Sequence, residues 1–230
     1  MLVRCHALVL MSFLESLSPE SRAALFAAGR TRVFPKGSTL FFEDDDAHDV
    51  LLITDGTIKV SISDESGREV ILDLLGPGDV AGELSAVDAA PRSATGVALD
   101  KVSACVIHQR DFGALLESCP DAATALLSTI VRRLRAASRR QFEFGAGDAL
   151  GRLCRSICDL DARFGRPDDQ DRVFTMPFSQ QALASHAGLS REAIVKGLAS
   201  MRTLGWISID RGELRVHDPD AVRARATGSY

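Results

Sequence analysis

Two short motifs in this chain gather side chains that can do chemistry. In the first, Gly82-Glu83-Leu84-Ser85 is followed after a loop by Pro91-Arg92-Ser93-Ala94-Thr95. An arginine fork suits the oxygens of a phosphate, backbone amides at a short helical turn add donors, and a carboxylate accepts from a ribose hydroxyl. By spacing alone, Glu83 and Arg92 are also compatible with a plain salt bridge on a sheet surface. The second motif runs from Ser179-Gln180-Gln181 through Gly188-Leu189-Ser190-Arg191-Glu192 to Lys196-Gly197-Leu198. Ala184 permits close helix approach, Gly188 allows a tight turn, and Leu189, Ile194 and Leu198 pack inward. Ser190, Arg191, Glu192 and Lys196 are left on the outer face near the start of a second helix. Arg there can grip guanine and Glu can accept from cytosine in a major groove. Ser179, Gln180 and Gln181, at the first helix's start, suit phosphate oxygens. The plainer alternative is two packed helices with a solvated charged face.

The elements that must position these motifs fall into three textures. From Thr31 to His108 short β-type runs alternate with turn residues: Thr39–Phe42, Val50–Thr54, Thr57–Ser63, Glu69–Leu75 and Val102–His108. Asp55-Gly56 between two apolar runs predicts a hairpin, because glycine accepts the positive φ such turns need. Many short strands at near-regular spacing predict a β-roll, barrel or sandwich. Asp121–Phe144 holds no Gly or Pro, and Ala123, Leu127, Ile130, Leu134, Ala137, Gln141 and Phe144 step alternately by four and three. That is a heptad seam, which calls for a partner, most simply a second copy of the chain in a parallel dimer; a core helix docked on its own domain is the alternative. Phe144-Gly145-Ala146-Gly147 predicts a break and hinge, with Asp148 capping the next helix, 148–164. A polar loop Gly165–Asp171, a strand Val173–Met176, helices from Ser179 to Ala187 and from Ser190 to about Leu204, and a hairpin around Arg211-Gly212 follow.

Composition excludes several classes. The 230 residues are 46% hydrophobic and 25% charged, the balance of an ordinary globular chain rather than a disordered or collagen-like one. No run approaches the roughly 18 apolar residues of a membrane-spanning helix. The apolar start of the chain lacks a small-x-small cleavage site and reads as a helix start, or as an early start with Met11 the natural one. Five scattered cysteines (Cys5, Cys105, Cys119, Cys154, Cys158), with no C-x-x-C, read as reduced core residues of a cytoplasmic protein. The first 120 residues carry 10 Lys and Arg against 18 Asp and Glu, while 121–144 carry five Arg against two acids. An acidic front and a less acidic back suit a sensor joined to a binding module.

The two motifs, in this order, resemble the catabolite activator protein/Crp–Fnr family of transcription factors, from about Phe13 to Val216. The resemblance rests on Gly82-Glu83-Leu84, Pro91-Arg92-Ser93-Ala94-Thr95, the hinge ending in Asp148, and Leu189-Ser190-Arg191-Glu192. It implies an α+β chain: a cyclic-nucleotide-binding-type β-roll (1–120), a dimerisation helix and hinge (121–147) and a winged helix–turn–helix (148–230). In cyclic-nucleotide-binding relatives the residue matching Arg92 holds the cyclic phosphate with help from that matching Ser93. The residue matching Glu83 takes the ribose 2′-hydroxyl, and the backbone near Gly82, Leu84 and Ser85 lines the pocket. The Thr-Ser pair that cyclic-AMP sensors offer the adenine across the dimer falls on Ala137 and Ser138, so only the serine is kept. Arg191 and Glu192 match base-reading residues, Lys196 stands where the cyclic-AMP activator has arginine, and Arg211 lies in the wing.

The resemblance thus implies a non-enzymatic homodimeric regulator joined through residues 123–144. It would bind a palindromic DNA operator and contact RNA polymerase, with a cyclic purine nucleotide such as cyclic AMP as effector, no cofactor and no membrane. A regulator with a vestigial pocket and a non-DNA nucleotide-binding module are the two rivals. Iron–sulfur relatives need a cysteine cluster where Cys5 stands alone, and His6, His48 and His108 form no haem-ligand pattern. Cys154 and Cys158 read as a thiol switch or, more simply, as a buried helix face.

Overall fold

The computed structural model describes residues 12–65, 69–146, 148–169, 171–175, 179–210 and 212–228, with the side chains of 139–146 and 175 outside the description. The chain forms two compact units, one ending at Gln141 and the other starting at Phe142.

In the first unit, Val50-Leu51-Leu52-Ile53 is apolar at every step rather than alternating, because the strand carrying it is covered on both faces. Two antiparallel four-stranded sheets make the roll, with strand orders β1-β8-β3-β6 and β2-β7-β4-β5. The strands are β1 (Gly29–Phe34), β2 (Thr39–Phe41), β3 (Asp49–Asp55), β4 (Ile58–Ser63), β5 (Glu69–Leu75), β6 (Val80–Ala81), β7 (Thr95–Ala98) and β8 (Val102–His108). Leu51 and Ile53 join Phe34, Ile58, Leu75, Ala81 and Val102 in one buried cluster. Val50 and Leu52 belong to a second, with Phe13, Leu25, Phe112, Ala122 and Leu126. That second cluster is closed by helices α1 (Pro19–Ala28), α3 (Gln109–Ser118) and α4 (Pro120–Ala146). Helix α2 (Glu83–Asp88) is a short turn carried on the roll.

Three expectations change here. Asp55-Gly56 does make a turn, with Gly56 at φ +82°, but no hairpin. β3 pairs with β8 and β6, whereas β4 pairs with β5 and β7, so the turn carries the chain from one sheet to the other. A Cβ at Gly56 would run into the Lys101 carbonyl, and Thr57 N–H donates to Asp100 at 2.7 Å. The close neighbour of this turn is therefore the β7–β8 connection. Helix α4 also runs on through Phe144-Gly145 to Ala146; one helical glycine costs about 1 kcal/mol, less than the bonds lost by breaking the helix there. Gly147 is outside the described residues. Finally, Ile130 packs partly against its own roll, while Val131 joins Leu127 and Leu134 on the open side.

The second unit begins with α5 (Ala149–Phe164), whose N-cap Asp148 accepts from Gly151 N–H at 2.8 Å. Leu153, Cys154, Ile157 and Leu160 bury its inner face. Strands β9 (Arg166–Asp168), β10 (Asp171–Thr175), β11 (Ile207–Asp210) and β12 (Glu213–Val216) form a sheet in the order β11-β12-β10-β9. β9 lies within the stretch expected to be loop. In chain order helices α6 (Gln180–Ala187) and α7 (Arg191–Thr203) fall between β10 and β11, and an unforeseen α8 (Pro219–Thr227), capped by Asp218, packs on α5. Among the described residues, no single helix is long and apolar enough to cross a membrane.

Candidate functional site

Gly82 ends β6 at φ +76°, a left-handed conformation that starts α2 at Glu83. A Cβ there would collide with the Arg92 guanidinium, so glycine is needed for both conformation and room. Arg92 is 6% exposed. Its Nη1 donates to the Gly82 carbonyl at 2.9 Å and its Nη2 to that of Asp49 at 2.6 Å. The guanidinium also lies 5.0 Å from the Phe41 ring centroid. Burial pushes its pKa below the ordinary arginine value, opposed by the nearby charges of Asp49, Glu83 and Asp45. Among the described residues its side-chain hydrogen bonds go to carbonyls and not to a carboxylate. The backbone of Arg92 is clamped as well, its N–H to the Asp45 carbonyl and its carbonyl to the Asp44 N–H, both at 2.9 Å.

Glu83, 3% exposed, does not pair with Arg92 as the plain reading of the spacing allowed. Its Oε1 accepts from Nη1 of Arg133 on α4 at 2.6 Å. The same guanidinium donates from Nη2 to the Val80 carbonyl at 2.9 Å and sets Nε 3.4 Å from Asp73 on β5. Ser85 is buried, its hydroxyl on the Pro91 carbonyl and its own carbonyl accepting from Gln109. Leu84 is exposed, as are Ser93, Ala137 and Ser138. The structure thus brings Gly82, Glu83, Ser85 and Arg92 together and leaves Ala137 and Ser138 on an open face of α4. Sequence reasoning passed over Arg133 and Asp73; a lone carboxylate in the otherwise apolar run Val70–Leu75 was the signal available. A shallow cavity of about 230 Å³ is lined by His48, Pro91 and Gln109 among others.

In the second unit, local chemistry shapes the helix pair. Ser179 caps α6 by accepting from Ala182 N–H, and Ser190 caps α7 by accepting from Ala193 N–H at 3.1 Å. Gly188 closes α6 at φ +61°, and Leu189 N–H returns to the Ala184 carbonyl at 2.9 Å. Leu183, Ala184, Ile194, Leu198 and Met201 are buried, and Gly197 lets α7 lie against Leu153 of α5. Leu189 is only half-buried. Ser179, Gln180, Gln181, Ser190, Arg191, Glu192 and Lys196 are all exposed; Arg211 lies outside the described residues. Hydrogen bonds from its own backbone N–H and from the Ser190 hydroxyl hold the Glu192 carboxyl below its ordinary pKa. Val195, 48% exposed, sits one turn from Arg191 and beside Lys196. An apolar side chain of this kind is what packs on a thymine methyl where a helix enters a major groove, and the sequence reading passed over it.

Comparisons with known proteins find matches to both units. Residues 31–119 match the cyclic nucleotide-binding domain family, and residues 151–225 match the Crp-like helix-turn-helix domain family. The chain is 28% identical over 212 residues to the CRP-like cAMP-activated global transcriptional regulator of Mycobacterium tuberculosis, covering 92% of this chain and 95% of that one. It is 27% identical over 214 residues to the cyclic AMP receptor protein of Thermus thermophilus, covering 93% and 96%. In fold it is similar to FixK2 of Bradyrhizobium japonicum, with a TM-score of 0.76 at 18% identity over 85% of this chain and 96% of that one. A cyclic-nucleotide-type β-roll followed by a Crp-like DNA-binding helix–turn–helix, in relatives that are regulators and not enzymes, shows that the chain belongs to the Crp–Fnr family of transcription regulators.

Proposed function

We propose that this regulator is a homodimer whose DNA binding is controlled by a cyclic nucleotide held in the β-roll. The observation that carries the reading is Arg92. A buried guanidinium whose hydrogen bonds go to carbonyls keeps its full charge under-compensated, and a buried charge is stable only when paired. Two of its five donors are used on those carbonyls, which fixes the fork and leaves the rest for the oxygens of a cyclic phosphate. Ser93, exposed beside it, adds a hydroxyl. Glu83 would take the ribose hydroxyl. Because Glu83 is tied to Arg133, a ligand bound there changes the contacts of α4.

Leu127 and Leu134 are 63% and 64% exposed on α4, and Val131 lies between them. This stripe supports dimerisation about that helix, which would bring two α7 helices to a palindromic operator read by Arg191, Glu192 and Lys196. The wing residue Arg211 would add a backbone contact. A cytoplasmic location and a contact with RNA polymerase belong to the same reading.

Calorimetric titration with cyclic AMP and cyclic GMP, together with gel shifts on a family-type palindrome, tests it. Saturable binding that strengthens the shift and is abolished by Arg92→Ala is the expected outcome. A second reading has its own observation: Glu83 is already satisfied by Arg133, as a purely structural cassette would be. DNA binding indifferent to every nucleotide would favour it.

A further inference from the structure

Arg133 spans two carboxylates, and only one of them has a role so far. Its Nη1 holds Glu83 at 2.6 Å while its Nε reaches Asp73 at 3.4 Å, so both acids lie within one guanidinium of each other on the side of the roll that meets α4. Asp73 is placed with some care. β5 carries a bulge: Val60 of β4 opposes Asp73, but Ser61 opposes Ile71, leaving Leu72 as the extra residue. Such bulges re-aim the next side chain and cluster beside functional sites. Asp73 Oδ1 also accepts from Leu74 N–H at 2.9 Å, which fixes the carboxylate's orientation.

The geometry points to Asp73 as the residue that selects the base, and to guanine as the base selected. This rests on the nucleotide-binding reading above, with the phosphate on Arg92 and the ribose on Glu83. The base then extends past the ribose toward Arg133 and Asp73. An ionised carboxylate only accepts hydrogen bonds, and its two oxygens match the adjacent N1–H and N2–H donors of guanine. The same edge of adenine presents one donor and, at N1, a lone pair that would face a carboxylate oxygen. An arginine adds donors suited to guanine O6 and N7. Ala137 has no hydroxyl to offer an adenine amino group. Selection therefore comes from repulsion of the wrong base as well as attraction of the right one.

Titration calorimetry of the full chain with cyclic GMP and cyclic AMP tests this, on the wild type and on Asp73→Thr, Asp73→Asn and Ala137→Thr. Wild type should bind cyclic GMP at least about tenfold more tightly, the discrimination of one bidentate base contact. Both Asp73 variants should collapse that ratio through weaker cyclic GMP binding, and Ala137→Thr, which leaves β5 untouched, should tighten cyclic AMP. Cyclic AMP bound as tightly as cyclic GMP, or a ratio unmoved by both Asp73 variants, would overturn the assignment while leaving the pocket intact. Binding of neither nucleotide would overturn the assignment together with the pocket.

Discussion

Arg92 meets a requirement that lysine cannot, because its planar fork reaches two carbonyls at once and still presents donors in the same plane. Arg92→Lys keeps the charge but loses that geometry, and should weaken nucleotide binding by about tenfold or more, the worth of a charge-assisted hydrogen bond. Arg92→Ala should in addition lower the urea midpoint, since the Gly82 and Asp49 carbonyls lose their donor, at about 1–3 kcal/mol for each left unsatisfied. The thiols of α5 behave in the opposite sense, as groups kept out of chemistry. Burial pushes Cys154 up to about 11 and Cys158 up to about 12. At pH 8 both stay protonated, and the thiolate is the reactive form. A thiol reagent at that pH should modify Cys154 and Cys158 only as the protein unfolds; rapid labelling of native protein, followed by peptide mapping, would restore the thiol-switch reading.

Elements were legible where a short-range signal governs them and obscure where a distant partner does. Ser179, Gly188 and Ser190 announce α6 and α7 because a cap acts within three residues. Nothing local, by contrast, marks β1 or β7 as strands, since four consecutive β1 residues are exposed and its bonds are all to β8. The sheet change after Asp55-Gly56 is likewise decided by Lys101 and Asp100, more than 40 residues downstream. The candidate site divides in the same way: Glu83 and Arg92 stand in a recognisable cassette, while Asp73 and Arg133 meet only through β5 and α4. A contact between residues about a hundred apart in sequence also sets a pH response at the start of α4. Hydrogen bonds from the Ser21 hydroxyl at 2.6 Å and the Ser18 N–H at 2.9 Å hold the Asp121 carboxyl down to about 2. A depressed folded pKa stabilises above the unfolded value near 3.8, and that stability is lost as pH falls through about 2. Asp121→Asn should therefore lower the thermal midpoint at pH 6 and flatten its decline between pH 4 and 2. An unchanged acid limb would show that the Asp121 bonds to α1 contribute nothing.

At the scale of the whole molecule, the question is what α4 does with a stripe that its own roll leaves uncovered. Ala122, Ala125 and Leu126 are buried against the roll, so the helix has already spent one face on its own domain. Leu127, Val131 and Leu134 follow at steps of four and three on another, and Ser138 continues the stripe. Burying one leucine contributes about 1.5–3 kcal/mol, and in a symmetric pair every contact is made twice. In the homodimer proposed above, a charge at Leu134 should act far beyond its own site. Leu134→Glu would place two carboxylates opposite each other, shifting the molar mass from dimer to monomer in light scattering at micromolar concentration. A monomer presents one α7, so affinity for a palindrome should fall toward that for a half-site, while Arg92-dependent nucleotide binding persists in weakened form. Leu134→Ile, apolar and of the same volume, should keep the dimer and the operator affinity, which separates loss of the interface from loss of the helix. An effector can shift such a dimer only by the difference in its affinity for the DNA-competent and incompetent states. In the Leu134→Glu monomer that coupling should vanish, so cyclic nucleotide would no longer change DNA affinity. A monomer still responsive to nucleotide would place the switch within a single chain rather than across the α4 pair.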